Sequence, residues 1–260
     1  MLVEQVVDIA GLETTVVGRP EDARVVVVLL HGFAMRPSDL APFAHSLGVP
    51  GLFLFPRGPL PGALEPGVAT GRAWWHIDPV ARAAALARGP RDFSVEHPSG
   101  LGAAREGLWR FLGALGRQGF APERAPLVLG GFSQGGMLAC DTFLRPEPNI
   151  VPLPRVDALL LLSASRLGFD EWIPRLAPGA TPSLQGLPVF ISHGQTDPDL
   201  AFSAGDALRA CLTTAGASIT WVPFDQGHEI PLVVWRRLRK FLLERCVSGA
   251  PGAPYTPDSG

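Results

Sequence analysis

Three separated positions carry the residue types that acyl-transfer chemistry needs. Ser133 lies in Gly131-Phe132-Ser133-Gln134-Gly135, Asp197 in Asp197-Pro198-Asp199, and His228 in Gly227-His228-Glu229. A serine hydroxyl is a poor nucleophile until a base removes its proton, and the imidazole that does so works best when an acid orients it. A Gly-x-Ser-x-Gly pentapeptide at a strand-to-helix junction lifts its serine into the open, because the flanking glycines let the two elements approach closely. Gln134, next in the chain, presents its backbone N–H near the positive end of the following helix.

Each position also has a plainer reading. Ser133 could be a helix-capping serine after a glycine turn, and a histidine in a loop often only packs. Ala201-Phe202-Ser203-Ala204-Gly205 has a similar spelling, but no apolar strand precedes it, so Ser203 is read as a helix-start residue. For the acid, Asp197 is preferred to Asp199 because it is nearer the preceding strand end, and Asp225 is a remoter candidate. His193 is read as structural, at the edge of the site. His31-Gly32-Phe33 also closes a strand; there Gly32 permits a tight turn and the Phe33 N–H can face a developing oxyanion. Without that role, the tripeptide is a simple strand-ending turn.

These residues need elements that bring them together. Val3–Ile9 and Thr14–Val17, joined by Ala10-Gly11-Leu12-Glu13, read as an opening hairpin. Arg24–Leu30 is an uninterrupted apolar run of the kind found in parallel strands covered on both faces, and Arg155–Leu162, with the apolar run Ala158–Leu162, reads as another strand. Further strands are expected at 51–55, 125–130, 187–192 and 218–222, and helices at 101–115, 134–144, 202–215 and 231–243. Residues 56–100, with Trp74-Trp75 and a short helix over 80–88, and residues 164–187, with Trp172, read as irregular excursions of the kind that form lids or binding loops. Strand and helix alternate after the hairpin, which predicts a mostly parallel sheet flanked by helices, in one domain over 1–246 with a mobile tail over 247–260. In such a sheet the chemistry collects at the carboxyl ends of the strands. Ser133, Asp197, His228 and Phe33 all stand at such ends, and the first three follow the chain order Ser, Asp, His.

Composition narrows the field. Of the 260 residues, 47% are hydrophobic and 18% charged, and the net charge is −2 with Lys240 the sole lysine. No basic face is evident, so nucleic acid is not the expected partner. No apolar run is long enough for a bilayer, and the N-terminus has no basic stretch of signal-peptide type. The three cysteines, Cys140, Cys211 and Cys246, are odd in number and far apart, which argues for free thiols in a reducing, cytoplasmic setting.

The strings LLHGF, GGFSQGGM, HGQTDP and GHEI resemble the phospholipase/carboxylesterase family of α/β-hydrolases, which includes the acyl-protein thioesterases. The resemblance runs over most of 24–245, and GFSQGG is far more specific than the bare pentapeptide. It implies an α/β-hydrolase fold, to which the lid-like insertions read at about 56–100 and 164–187 would be added. It also implies a Ser133–His228–Asp197 triad and an oxyanion hole from the N–H groups of Phe33 and Gln134. Trp74 and Trp75, in Ala73-Trp74-Trp75-His76-Ile77, resemble the segment bordering the family's acyl pocket, and Met137 is taken with them as substrate-binding. The chain departs from the family at Phe33-Ala34-Met35-Arg36, where a glycine-rich stretch is usual, and in the two insertions.

The expected activity is hydrolysis of small-molecule carboxylic esters through an acyl-serine, with no metal or organic cofactor. Two alternatives stand beside it within the hydrolases: a thioesterase or lysophospholipase on longer acyl chains, or a peptidase-like relative. From another class, the fold could serve as a non-catalytic binder. No stable membrane insertion is expected, and a homodimer is compatible with the sequence.

Overall fold

The structure, a computed structural model, describes residues 3–65, 68, 71–122, 125–146, 154–177 and 179–248. Of the expected mobile tail over 247–260, the residues from 249 on lie outside them, and Val247 ends a π-helical turn.

The chain opens with the antiparallel hairpin β1 (Glu4–Ile9) and β2 (Leu12–Val17). Its turn is tighter than expected, because Ala10 and Gly11 both take positive φ and Leu12 already pairs with Ile9. Such a two-residue turn matches the twist of the flanking strands. β3 (Val25–Leu30) and β4 (Gly51–Pro56) follow, connected by α1 (Pro37–Leu47). Asp39 accepts the Arg36 N–H at the start of α1, and Gly48 at φ 63° ends it.

Beyond the first insertion come α3 (Leu101–Leu115), β7 (Leu127–Phe132) and α4 (Gln134–Leu144). The chain then runs through β8 (Ala158–Leu162), α5 (Phe169–Leu176), β9 (Pro188–Gly194), α6 (Phe202–Thr214), β10 (Ser218–Phe224) and α7 (Leu232–Phe241). A π-helical turn, Leu242–Val247, continues α7.

The eight-stranded sheet has the order β1-β2-β4-β3-β7-β8-β9-β10. β2 alone runs opposite to the rest of the sheet, and every pair from β4 onward is parallel. The apolar run of β3 is explained by burial on both faces. Val26, Val28 and Leu30 pack with residues of α3, α4 and α6, whereas Val25, Val27 and Leu29 pack with α1 and α7. After β4 the chain passes back across β3 to lay β7 on its other side. That reversal makes the β3–β7 boundary a topological switch point, where the strand ends leave a crevice.

The first insertion contains β5 (Leu60–Gly62), β6 (Gly71–Ala73) and α2 (Pro79–Leu86), whose N-terminal amides are capped by Asp78. The second excursion is more regular than expected. Residues 164–187 hold α5 and a 3₁₀ turn, Pro182–Leu184. Trp172 of α5 is fully buried and its indole N–H donates to Asp141. With Phe169 and Leu176 packed against the same core, the buried indole anchors this short helix despite Pro174 within it.

Candidate active site

The turn at Ser133 is built by what surrounds it. β7 ends at Phe132 and α4 begins at Gln134, so one residue reverses the chain direction. Ser133 takes φ 54°, ψ −118°, a strained backbone for a residue with a side chain. Close packing maintains it. A Cβ at Gly131 would stand 2.4 Å from the Gly135 carbonyl carbon, and one at Gly135 would stand 2.4 Å from the Leu30 oxygen. The Ser133 N–H is taken by the Leu162 carbonyl at 2.8 Å, which ties the turn to β8. The hydroxyl is left facing the crevice.

His228 and Asp197 meet Ser133 there. His228 Nε2 lies 2.9 Å from Ser133 Oγ, and His228 Nδ1 lies 2.7 Å from Asp197 Oδ2. The Phe132 ring, centred 4.8 Å from the imidazole, supports it from one side. Asp197 is 3% exposed and its second oxygen, Oδ1, accepts the Asp199 and Leu200 N–H groups at 2.8 and 2.9 Å. A buried carboxylate held by two amides and one imidazole keeps a single orientation. The loops bearing Asp197 and His228 are joined backbone to backbone. Gln195 N–H donates to Phe224 O, and a Cβ on Gly194 would stand 2.2 Å from the oxygens of Gln226 and Gly227.

The other candidates divide by position. Asp199 does not reach the imidazole by any hydrogen bond among the described residues, because Arg82 and Arg91 occupy its carboxylate. Asp225 is exposed on the loop before His228 and Ser203 stands in the first turn of α6. His193 is fully buried beneath Asp197; its Nε2–H donates to Leu200 O at 3.0 Å, and burial lowers its pKa below the ordinary histidine value.

Phe33 and Gln134 stand at the neighbouring ends of β3 and β7, where Leu30 pairs with Gly131. Among the described residues neither backbone N–H donates to another protein group. The strand β6 braces the Phe33 turn. Ala34 N–H donates to Arg72 O at 2.9 Å and Arg72 N–H to Met35 O at 2.8 Å, which holds Ala34 at φ 60°. The Arg72 guanidinium reaches on to the carbonyls of Gly58 and Pro59. Beneath the turn, burial pushes the His31 pKa down to about 4, so the ring is neutral. Its Nδ1–H donates to Gly32 O, and its Nε2 accepts the Gly58 N–H.

Trp74, Trp75 and Met137 are 2%, 1% and 2% exposed, so none presents an open face to a ligand. Trp74 stacks on His31 and its indole N–H donates to His31 O at 2.9 Å. Trp75 and Met137 belong to the core layer shared with α3 and α4. Flat, large side chains next to a site bury themselves in the nearest apolar layer when the surrounding helices supply one.

The cysteines offer no competing nucleophile. Cys140 is fully buried on α4, and burial raises the Cys211 and Cys246 thiols to about 11 and about 12. Among the described residues no group of three or more His, Cys, Asp or Glu side chains is gathered as a metal site.

Sequence reasoning missed three supporting groups: the Gln134 side chain, the Arg72 brace and the Arg82–Asp199–Arg91 cluster. The first lay inside the recognised motif. The other two are contacts between distant parts of the chain and leave no local pattern.

Comparisons with known proteins agree with this architecture. Residues 13–245 match the family model described as Phospholipase/Carboxylesterase. Acyl-protein thioesterase 1 of Neurospora crassa is 29% identical over 121 residues, a stretch that spans 46% of this chain and 46% of that protein. Among solved structures, Zea mays acyl-protein thioesterase 2 superposes with a TM-score of 0.70 at 19% identity, covering 89% of this chain and 98% of the other. Esterase PE8 gives 0.66 at 23% identity, covering 94% and 99%. A carboxylesterase from Mesorhizobium loti gives 0.65 at 20% identity, covering 93% and 99%. These structural likenesses speak for an α/β-hydrolase fold, and the family match covers nearly the whole described chain. The chain belongs to the phospholipase/carboxylesterase family of ester hydrolases.

Proposed function

We propose that the protein is a serine carboxylesterase acting on small-molecule esters through an acyl-serine intermediate. The observation that carries this reading is the unbroken path Ser133 Oγ–His228 Nε2, 2.9 Å, and His228 Nδ1–Asp197 Oδ2, 2.7 Å. His228 takes the Ser133 proton as Oγ attacks the ester carbonyl. The Phe33 and Gln134 N–H groups, free of other partners among the described residues, receive the oxyanion. Collapse of the tetrahedral intermediate expels the alcohol, which takes the proton from His228. Water, deprotonated by the same imidazole, then releases the carboxylic acid and restores Ser133. Asp197 keeps the imidazole in the productive tautomer and balances its transient charge.

The closed packing of Trp74, Trp75 and Met137 supports short acyl groups, since none of the three opens a channel. A second reading, thioester hydrolysis, is favoured by the acyl-protein thioesterase names of two of the similar proteins. A series of acyl esters and thioesters of increasing chain length separates the two. Among the described residues no helix is long and apolar enough to cross a membrane, and the three cysteines are free. The thiols support a cytoplasmic setting.

Ser133→Ala tests the main reading. Turnover of p-nitrophenyl acetate is expected to fall by roughly 10⁴–10⁶-fold with the fold intact. A fluorophosphonate should label the parent at Ser133 and leave the variant unlabelled. Parental turnover in the variant would overturn the reading.

A further inference from the structure

Asp199 stands two residues beyond Asp197 and lies off the Ser133–His228–Asp197 path. Its carboxylate is nevertheless held by two arginines. Arg82 of α2 bonds Oδ2 through Nη2, and Arg91 bonds Oδ1 through Nη2 and through Nε, the latter at 3.1 Å. The side chains of Asp199, Arg82 and Arg91 are 14%, 18% and 16% exposed. Both arginines come from the first insertion, more than 100 residues earlier in the chain.

The backbone repeats the connection. Arg91 N–H donates to Asp199 O at 2.9 Å, and Ala201 N–H donates to Arg91 O at 2.9 Å. Arg91 therefore lies alongside Leu200 as a one-residue parallel bridge. Of the two amides that donate to Asp197 Oδ1, that of Leu200 lies between those two contacts and that of Asp199 immediately precedes them. The groups that fix the acid's orientation thus belong to the short stretch that Arg91 clamps from both sides.

A stability role explains this poorly. Burying a carboxylate with guanidinium groups costs desolvation that the pairing roughly offsets, and apolar residues of the same volume usually do as well. What a planar, two-pronged arginine contact does supply is geometry. Burial alone would raise the Asp199 carboxyl pKa, but the hydrogen bond from Arg91 and the nearby charges of Arg91, His228 and Arg82 outweigh it and hold it below the ordinary value. The Asp199 carboxylate is therefore ionised throughout the neutral range. The phenyl ring of Phe93, 4.8 Å below the Arg91 guanidinium, adds a further restraint on that side chain.

We propose that Asp199 is a positioning residue: with Arg82 and Arg91 it fastens the 79–91 segment to the acid loop and thereby sets the orientation of Asp197 toward His228. The inference rests on the Ser133–His228–Asp197 reading and extends it. The first insertion is then part of the acid's scaffold. Arg91 carries most of the effect, whereas Arg82 anchors α2 to it.

The test uses the full chain with Asp199→Asn, Arg91→Met and Arg91→Lys. The readouts are kcat and KM for p-nitrophenyl acetate, the melting temperature, and the downfield proton resonance of His228 Nδ1–H. Asp199→Asn is expected to lower kcat about 10–100-fold with KM changed by about twofold or less, since small displacements of a catalytic group cost rate rather than binding. The downfield resonance should shift upfield or broaden beyond detection. Arg91→Met should behave alike, and Arg91→Lys, which keeps the charge and one contact, should recover part of the lost kcat.

Parental kcat and an unmoved resonance in Asp199→Asn would overturn the proposal. So would a lower kcat with the resonance unmoved, because the effect would then bypass the His228–Asp197 contact. If Asp199→Asn fails to fold, the comparison of Arg91→Lys with Arg91→Met decides on the same two readouts. Failure of the underlying reading looks different: Ser133→Ala itself would remain active.

Discussion

Gln134 grips the backbone at Trp74: its Oε1 accepts the Trp74 N–H at 3.0 Å, while its Nε2 donates to the Trp75 carbonyl at 3.0 Å. The residue that follows Ser133 therefore has two duties. Its main-chain N–H is the proposed oxyanion donor, and its side chain fastens the tryptophan segment to the start of α4. Trp74 in turn donates to His31 O, so the two turns that bear Phe33 and Gln134 are linked through one indole.

Gln134→Leu separates these duties. It leaves the main-chain N–H in place but strips partners from a buried donor and a buried acceptor. Each is expected to cost about 1–3 kcal/mol, measured by urea unfolding. Turnover should fall by about tenfold or less, well short of Ser133→Ala, because the oxyanion donor survives. A loss of activity without any loss of stability would show that the side chain acts in the chemistry and not in the clamp.

The turn at Phe33 makes a different demand. A Cβ on Gly71 would stand 2.1 Å from the Ala34 carbonyl oxygen and 2.8 Å from the Met35 nitrogen, both main-chain atoms that cannot swing aside. Gly71→Ala should displace the turn and lower kcat about 10²-fold while KM changes little, as loss of an oxyanion donor does. Gly107→Ala, on α3, is the control. There the nearest atom to the new Cβ is Arg110 Nη2 at 3.9 Å, so the expected change is a gain of about 0.5–1 kcal/mol and an unaltered kcat. Equal activity in the two variants would sink the bracing role of β6.

Much of this site was legible because its parts are local. Val25–Leu30 is buried on both faces and reads as an apolar run. Gly131 and Gly135 each meet backbone too closely for a side chain, and the pentapeptide reads as a glycine-flanked turn. Pro174 hid α5, since the cue for a short helix with an internal proline is Trp172 finding Asp141, 31 residues away in the sequence. The three-residue strands β5 and β6 have too few positions to show alternation. Trp74, Trp75 and Met137 illustrate another limit. Their types suit a pocket or a core equally well, and no local pattern tells the two apart. The clamp on Asp199 joins positions 108 and 117 residues apart, where no periodicity operates.

His31 should make the fold acid-sensitive. Burial pushes its pKa down to about 4 from the ordinary 6.5, so the unfolded chain takes up a proton that the native protein refuses. Its contribution to stability is intact above about pH 6.5, declines as the pH falls, and is gone near pH 4. The full difference amounts to about 3 kcal/mol. His193, whose pKa burial also lowers, acts in the same direction. Urea unfolding of the parent at pH 7 and pH 4.5 should therefore show a clear loss. His31→Gln, which has no proton to gain in either state, starts from a lower stability but should lose less over that interval. The neutral ring also carries the Gly58 N–H on Nε2, a contact that protonation abolishes. An identical pH dependence in parent and variant would mean that His31 is not the group that titrates.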